Sequence, residues 1–196
     1  MNEQAAIAAI RAGSIEGLKA LYDSHASVLL NQAFRLLQSH AAAEDAVHDL
    51  FIRLPAMLFG FRSESSLRTW LYRCMHHHCL SVLNQNALRT RILMKTEVRE
   101  QINQLNLAQS QNENVHTIRY KLEEAEVSDR LQQALMQLPA ETRSLLWLKE
   151  AEGLPLKDLA YVMGIPEGTL KARLSRARAQ LRRILTAEDI HGLYDL

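Results

Sequence analysis

Long apolar runs are missing from this chain. Although 47% of its 196 residues are hydrophobic, no window approaches the roughly 18 uninterrupted apolar residues of a membrane span. The opening MNEQAAIAAIRAGS also lacks the basic flank and apolar core of a secretory signal. No membrane insertion is expected, and the chain reads as cytoplasmic. Cysteine is scarce: only Cys74 and Cys79 occur, too few for a disulfide scaffold, and on one helix they would point apart as reduced thiols. Glycine and proline are few, at seven and four, and no window alternates β-branched residues as a strand would, so Ala, Leu, Gln, Glu and Arg favour helix throughout. Catalytic signatures are absent too. There is no phosphate-binding glycine loop, nucleophile elbow or paired-acid motif, so neither an enzyme nor a cofactor nor a small-molecule substrate is expected.

An excess of charge of either sign is missing, with a net of only +1 from 23 basic and 22 acidic residues, but the charge is unevenly placed. Residues 1–60 carry four basic and six acidic side chains, 61–95 six basic and one acidic, and 166–185 six basic and one acidic. Two basic patches therefore flank a polar middle, a distribution that points to nucleic acid more than the net value does.

The fold class expected is all-α, as two small helical domains joined by a polar linker. The first domain spans 1–86, with apolar periodicity near 15–38, 41–59 and 66–86 and a short helix before them. Its breaks are chemical: Gly13-Ser14, Ser39-His40, and a loop from Gly60 to Ser66 where a serine can cap the next helix. Pro55 should kink or end its helix. The Asn- and Gln-rich stretch 87–124 shows no amphipathic face and reads as the linker. Residues 125–187 then hold helices over 125–138, 140–152, 156–163 and 166–185, before a tail at 188–196.

The short helix PLKDLAYVM, a glycine turn and the basic run GIPEGTLKARLSRARAQLRR have the arithmetic of a helix-turn-helix, whose second helix enters the DNA major groove. At about 100° per residue, Leu170, Leu174, Ala177, Leu181, Ile184 and Leu185 share an inward stripe. Opposite them lie the small residues Ala172, Ser175 and Ala179, flanked by Lys171, Arg178 and Arg182 on one shoulder and Arg173, Arg176 and Arg183 on the other. The backbone could thus approach a groove with cations placed for its phosphates. Thr169, Lys171, Ser175 and Arg176 carry donors for base edges. A merely solvated face would mix acids among the cations, and none follows Glu167 until Glu188.

LPAETRSLLWLKEAEGLPLKDLAYVMGIPEGTLKARLSRARAQLRRIL resembles region 4 of the extracytoplasmic-function bacterial sigma factors. LYDSHASVLLNQAFRLLQSHAAAEDAVHDLFIRL and FRSESSLRTWLYR resemble region 2 of the same family. The resemblance implies a first domain that docks on core RNA polymerase and serves the downstream (−10) promoter element, and a second domain for the upstream (−35) element. It also implies promoter DNA as a partner and an anti-sigma protein that sequesters the factor.

Within that frame Glu44, Asp45, Val47, His48, Asp49, Leu50 and Phe51 are the polymerase-binding candidates. Acids beside apolar residues suit a groove with basic rims and an apolar floor, though Val47, Leu50 and Phe51 could equally be core. Arg62, Ser63, Arg68, Trp70, Arg73 and His77 are the downstream-element candidates: aromatic faces stack bases of an opened strand while arginines hold phosphates. Trp70 could instead be packing. On that helix Leu67, Leu71, Cys74, His78 and Val82 form the expected inward stripe. Thr169, Lys171, Ala172, Arg173, Ser175, Arg176 and Arg178 are the upstream-element candidates.

His77 stands where the family commonly has asparagine in the part that reads a downstream base, a departure bearing on promoter preference and strand opening. The run CMHHHC raises a metal site, but Cys74 and His78 make only two ligands where a structural zinc needs about four, so no metal is expected. The rival readings are a helix-turn-helix regulator that is not a polymerase subunit and a metal sensor or enzyme built on the histidines. Both leave AEDAVHDLF without a role.

Overall fold

The computed structural model describes residues 2–100 and 130–191, and among these every regular element is an α-helix. In chain order they are α1 (Glu3–Arg11), α2 (Ile15–Leu37), α3 (His40–Leu58), α4 (Leu67–Glu100), α5 (residues 130–136), α6 (Ala140–Glu150), α7 (Leu156–Met163) and α8 (Glu167–His191). The greater part of the expected linker lies outside the described residues.

The helix starts follow from local chemistry. The Ser14 side chain accepts from the Glu16 N–H, Ser39 from Ala42 N–H and Ser66 from Thr69 N–H, each satisfying a donor that a helix N-terminus leaves unpaired. Two expectations need correction. Of the kink or end expected at Pro55, the end does not occur: α3 runs through it to Leu58, since a proline removes one backbone bond, its own to the carbonyl four residues back, and leaves the rest of the turn bonded. And α4 does not stop at residue 86 but continues to Glu100, because no glycine or proline interrupts the helix-favouring Ala, Leu, Arg and Lys there.

Helices α1 to α4 form one bundle. Gly17 lets α1 cross close over α2: a Cβ at that position would lie 2.6 Å from the Ala6 carbonyl oxygen. Helices α6 to α8 form a tri-helical unit, and Gly164, at φ +67°, makes the tight left-handed turn from α7 into α8, a conformation glycine adopts without steric cost. The two units are not separate bodies. Helix α2 packs on α6 and α4 on α7, and one apolar cluster runs from Ala6 and Leu54 through Leu71 and Met75 to Leu148, Leu159 and Leu174.

Arg143 ties the junction together. Its side chain is buried and donates to the carbonyl oxygens of Leu138 at 3.0 Å, Met136 at 3.3 Å and Leu135 at 3.4 Å, and to that of Arg35 at the end of α2. One guanidinium therefore serves carbonyls at the C-terminal end of α2 and at the end of α5 and the turn after it, among which that of Leu135 also accepts from the Leu138 N–H at 3.1 Å. Burial, with Arg35 nearby, pulls its pKa below the usual guanidinium value, yet it stays charged. Replacing it by methionine keeps the apolar stem and strands those acceptors. Arg143→Met is expected to cost about 2–4 kcal/mol of unfolding free energy in urea titrations, and an unchanged midpoint would show that the carbonyls find water instead.

Candidate nucleic-acid interface

The basic helix α8 presents its faces as its periodicity requires. Leu170, Leu174 and Ala177 are buried, and Leu181 and Ile184 are partly so. Thr169, Lys171, Ala172, Arg173, Ser175, Arg176 and Arg178 are all exposed. Acids that the local sequence does not suggest come from α6: Glu141 approaches Arg173 at 3.6 Å, and Glu150 accepts from Arg178 Nε at 3.0 Å and from its NH2 at 2.7 Å. Both pairs are half-exposed, so each is worth little and exchanges readily for a phosphate. Arg176 makes a back-bond to the Ala172 carbonyl at 3.3 Å and is exposed on the Arg173 shoulder, where it borders a depression shared with Glu141 and Thr142 of α6. The result is a convex, basic, small-apexed helix seated on a rigid turn, the form that enters a major groove.

The expected downstream-element residues divide into two groups. Arg62 and Ser63 are exposed in the loop before α4, with Ser63 at φ +57°, and Trp70 lies half-buried against Phe61, ring centroids 5.1 Å apart. Arg68, Arg73 and His77 instead face the second unit. Arg68 pairs with Glu152, Arg73 donates to the Tyr161 carbonyl at 3.0 Å with its guanidinium 4.3 Å from the Tyr161 ring centre, and His77 lies beside Gly164. The inward stripe of α4 is accordingly broader than its periodicity predicts. Leu67, Leu71, Tyr72, Met75, His76 and Cys79 are buried, while Cys74 and His78 are only partly so, because α7 covers a flank that the bundle alone would leave open. Tyr72, Glu152, Asp158 and Tyr161 belong to this contact and had no signal in the sequence.

On α3 the candidates also split. Glu44, Asp45, His48 and Asp49 are exposed. Val47, Leu50 and Phe51 are 4%, 3% and 5% exposed and are core, so they hold the helix and do not present a surface; Phe51 meets the Tyr22 ring edge-on at 4.9 Å. The apolar surface beside the acids comes from other side chains. Ile52 is 63% exposed, Ile15 76% and Tyr22 47%, around a shallow depression of about 260 Å³ floored by Phe51 and Leu18. A hydrophobicity pattern marks such residues as core by type, and the packing of α2 against α3 leaves Ile15 and Tyr22 on the one helix and Ile52 on the other outside.

The histidine run diverges. His76 is buried with its Nδ1 unpartnered, His77 turns toward α7, and His78 lies 3.8 Å from Asp49. Among the described residues no three His, Cys, Asp or Glu side chains converge as metal ligands. Burial, reinforced by His77, lowers the His76 pKa to about 4, and burial also lowers that of His25. Burial raises the thiol of Cys74 to about 11 and that of Cys79 to about 12, so neither is a ready nucleophile. A histidine held neutral in the fold takes up its proton only in the unfolded chain. Its stabilising contribution is complete above the ordinary imidazole pKa of about 6.5 and is lost as pH falls from there toward 4, by up to about 1.4 kcal/mol per pH unit. Urea midpoints measured at pH 7 and pH 5 are expected to fall with acid, and His76→Leu to flatten that dependence; equal slopes for the two proteins would remove His76 as its source.

Comparison with known proteins places both units. The family model for "Sigma-70 region 2" matches residues 21–89, and that for "Sigma-70, region 4" matches residues 128–181. The chain is 27% identical to the RNA polymerase sigma factor YlaC of Bacillus subtilis, over 87% of this chain and 93% of that protein. It is 26% identical to the ECF RNA polymerase sigma factor SigM of Mycobacterium tuberculosis, over 91% of this chain and 82% of the other. Among solved structures, the sigma factor RpoE of Bartonella quintana, crystallised with the anti-sigma factor NepR, superposes with a TM-score of 0.66 at 25% identity, covering 88% of this chain and 98% of that one.

Proposed function

The chain belongs to the sigma-70 family, in its extracytoplasmic-function branch, and on that premise we propose that it is a dissociable sigma subunit that joins core RNA polymerase, directs initiation at two-element promoters and catalyses no covalent step. The observation that carries this reading is the presence, in one chain and in family order, of a region 2 bundle and a region 4 helix-turn-helix whose basic outer face is exposed. Family membership brings core polymerase and promoter DNA as partners. The likeness to a sigma factor crystallised with NepR supports an anti-sigma protein as a third. No described helix is long and apolar enough to cross a membrane, in keeping with action in the cytoplasm, where polymerase and DNA are.

The division of labour follows the surfaces. Glu44, Asp45 and Asp49 beside exposed Ile52 and Tyr22 offer a basic, partly apolar groove of the polymerase both charge complementarity and an apolar anchor. DNA would be repelled there. Arg62, Ser63, Arg68, Trp70, Arg73 and His77 serve the opened downstream strand, and Thr169 to Arg178 on α8 the upstream duplex. Neither basic face neutralises more than about six phosphates, so the free chain binds DNA weakly and with steep salt dependence, and the polymerase supplies the alignment.

The defining experiment is multi-round transcription by purified core polymerase on genomic DNA, with and without the protein, mapping new RNA 5′ ends. New starts that share two spaced upstream elements are the expected result; none, together with no co-purification with core, would leave a regulator outside the polymerase. The combined change Asp49→Ala and Ile52→Ala should weaken core co-purification about tenfold or more while leaving helicity intact. Phe51→Ala, by contrast, should cost roughly 3–5 kcal/mol of stability because it opens the core. Core affinity unchanged in the first variant would remove α3 as the docking helix. Arg176→Ala is expected to lower upstream-element use by about 1–3 kcal/mol if the side chain reads a base, and equal output from native and scrambled elements would deny it that role.

A further inference from the structure

Helix α4 carries a polar strip made of Arg68, Thr69, Tyr72 and Arg73, and each member meets a group of the second unit. The Glu152 carboxylate, just after α6, accepts through one oxygen from the Arg68 guanidinium and from the Tyr72 hydroxyl at 2.6 Å. Arg68 also reaches that hydroxyl from Nε at 3.2 Å and from NH2 at 3.1 Å. Thr69 Oγ1 lies 3.5 Å from the Asp158 carboxylate. The Arg73 guanidinium lies over the Tyr161 ring and donates to the carbonyl of the same residue. The Glu152 side chain is 13% exposed and that of Arg68 49%, so the acid is enclosed and the cation is still open to solvent on one side.

The chemistry of this arrangement is that of a bound strand. An anionic oxygen held by a guanidinium and a phenol has the same donors as a phosphate oxygen would, and an aromatic ring on a guanidinium plane is the stacking a base makes with arginine. Glu152 precedes α7 and Tyr161 lies in its last turn, so anion and ring follow one another along the strip, from Arg68 and Tyr72 to Arg73, as phosphate and base do along a strand. We propose that Glu152 and Tyr161 are an internal mimic of single-stranded DNA: the Glu152 carboxylate fills a phosphate subsite built by Arg68 and Tyr72, Tyr161 fills a base-stacking place on Arg73, and a DNA strand binds α4 only after the second unit leaves it. The proposal adds Tyr72 to the strand-binding residues. It deepens the reading of α4 as the downstream-element face, on which it rests. Burial together with the Glu152 hydrogen bond pushes the Tyr72 phenol well above its ordinary pKa, which keeps it a donor. Thr169, Lys171, Ser175 and Arg176 stay exposed meanwhile, so the closed chain hides only one of its two DNA faces.

The test uses the full chain without polymerase and a fluorescent single-stranded oligonucleotide of degenerate sequence, which needs no knowledge of the promoter. Glu152→Gln keeps an acceptor for Tyr72 and removes the charge; Glu152→Ala removes both. Both should raise oligonucleotide affinity by about three- to tenfold, with Glu152→Ala also expanding the chain in small-angle X-ray scattering, and Arg68→Ala added to Glu152→Ala should abolish the gain. Expansion without any gain in affinity would overturn the mimicry, and no change in either would overturn the closed state itself. Circular dichroism melts identify a variant that has merely unfolded; Tyr161→Ala then supplies the same comparison at the stacking place, where unchanged affinity counts against the proposal. Transcription by the wild-type chain with core polymerase is scored separately. A gain in strand affinity without sigma activity would leave the mimic standing and the sigma reading fallen, and sigma activity without the gain the reverse.

Discussion

The structure turns on what α4 does with Arg68, Tyr72 and Arg73. A helix in a small bundle has one flank to bury and one to expose, and on α4 the second flank is studded with donors that a low-dielectric contact cannot leave unpaired. The second unit supplies the acceptors: the Glu152 carboxylate, the Asp158 carboxylate and the Tyr161 carbonyl. Once these are in place, α7 lies along α4, Tyr72 and His76 become core, and the apolar clusters of the two units merge. At the other edge of the same junction Arg143 closes the carbonyl ends of α2 and α5. The polar contacts set the orientation and the apolar ones supply most of the area.

Charge is used differently on the three surfaces that matter. On α8 the cations are paired loosely, with half-exposed acids of α6, so little is given up when a phosphate replaces a carboxylate. On α4 the pairing is enclosed, and exchange requires one unit to move off another. On α3 the acids are exposed beside Ile52 and Tyr22, which makes that face repellent to DNA and receptive to a protein groove. A chain with a net charge of only +1 thereby carries, on the reading proposed above, two faces suited to nucleic acid and one suited to protein.

Much of this was legible in the sequence, and for local reasons. Serines before apolar-periodic runs marked the starts of α2, α3 and α4, and a glycine turn before a basic run marked α7 and α8, because capping and left-handed turns are decided within a few residues. The inward stripe of α8 followed from its period alone. Where the reading failed, the cause was a neighbour distant in the chain. Val47, Leu50 and Phe51 were ambiguous between core and partner contact, and it is the packing of α3 on α2 and α4 that buries them. Cys74 and His78 fit the expected stripe of α4 by phase but are only partly covered, since the contact with α7 rotates the buried sector toward Tyr72 and His76. Pro55 was open between a kink and an end, and α3 runs on to Leu58 because the proline removes only its own backbone bond.

What the sequence determined by itself is the all-α character, the starts of α2, α3, α4, α6, α7 and α8 to within a residue, the exposed basic face of α8 and, through two motif sets in order, the family. Each of these rests on residue periodicity, capping chemistry or spacing, which act over one to three turns of helix. Only the tertiary structure decided that Arg68 and Arg73 are held by the second unit, that Ile52 and Tyr22 form the apolar part of the α3 face, and that the Arg143 guanidinium joins the end of α2 to the end of α5. Those contacts join residues separated by 84 positions at Arg68 and Glu152, 88 at Arg73 and Tyr161 and 108 at Arg143 and Arg35. No periodicity along a chain carries information about a partner that far away; the pairing is settled by which donors and acceptors packing brings within reach of one another.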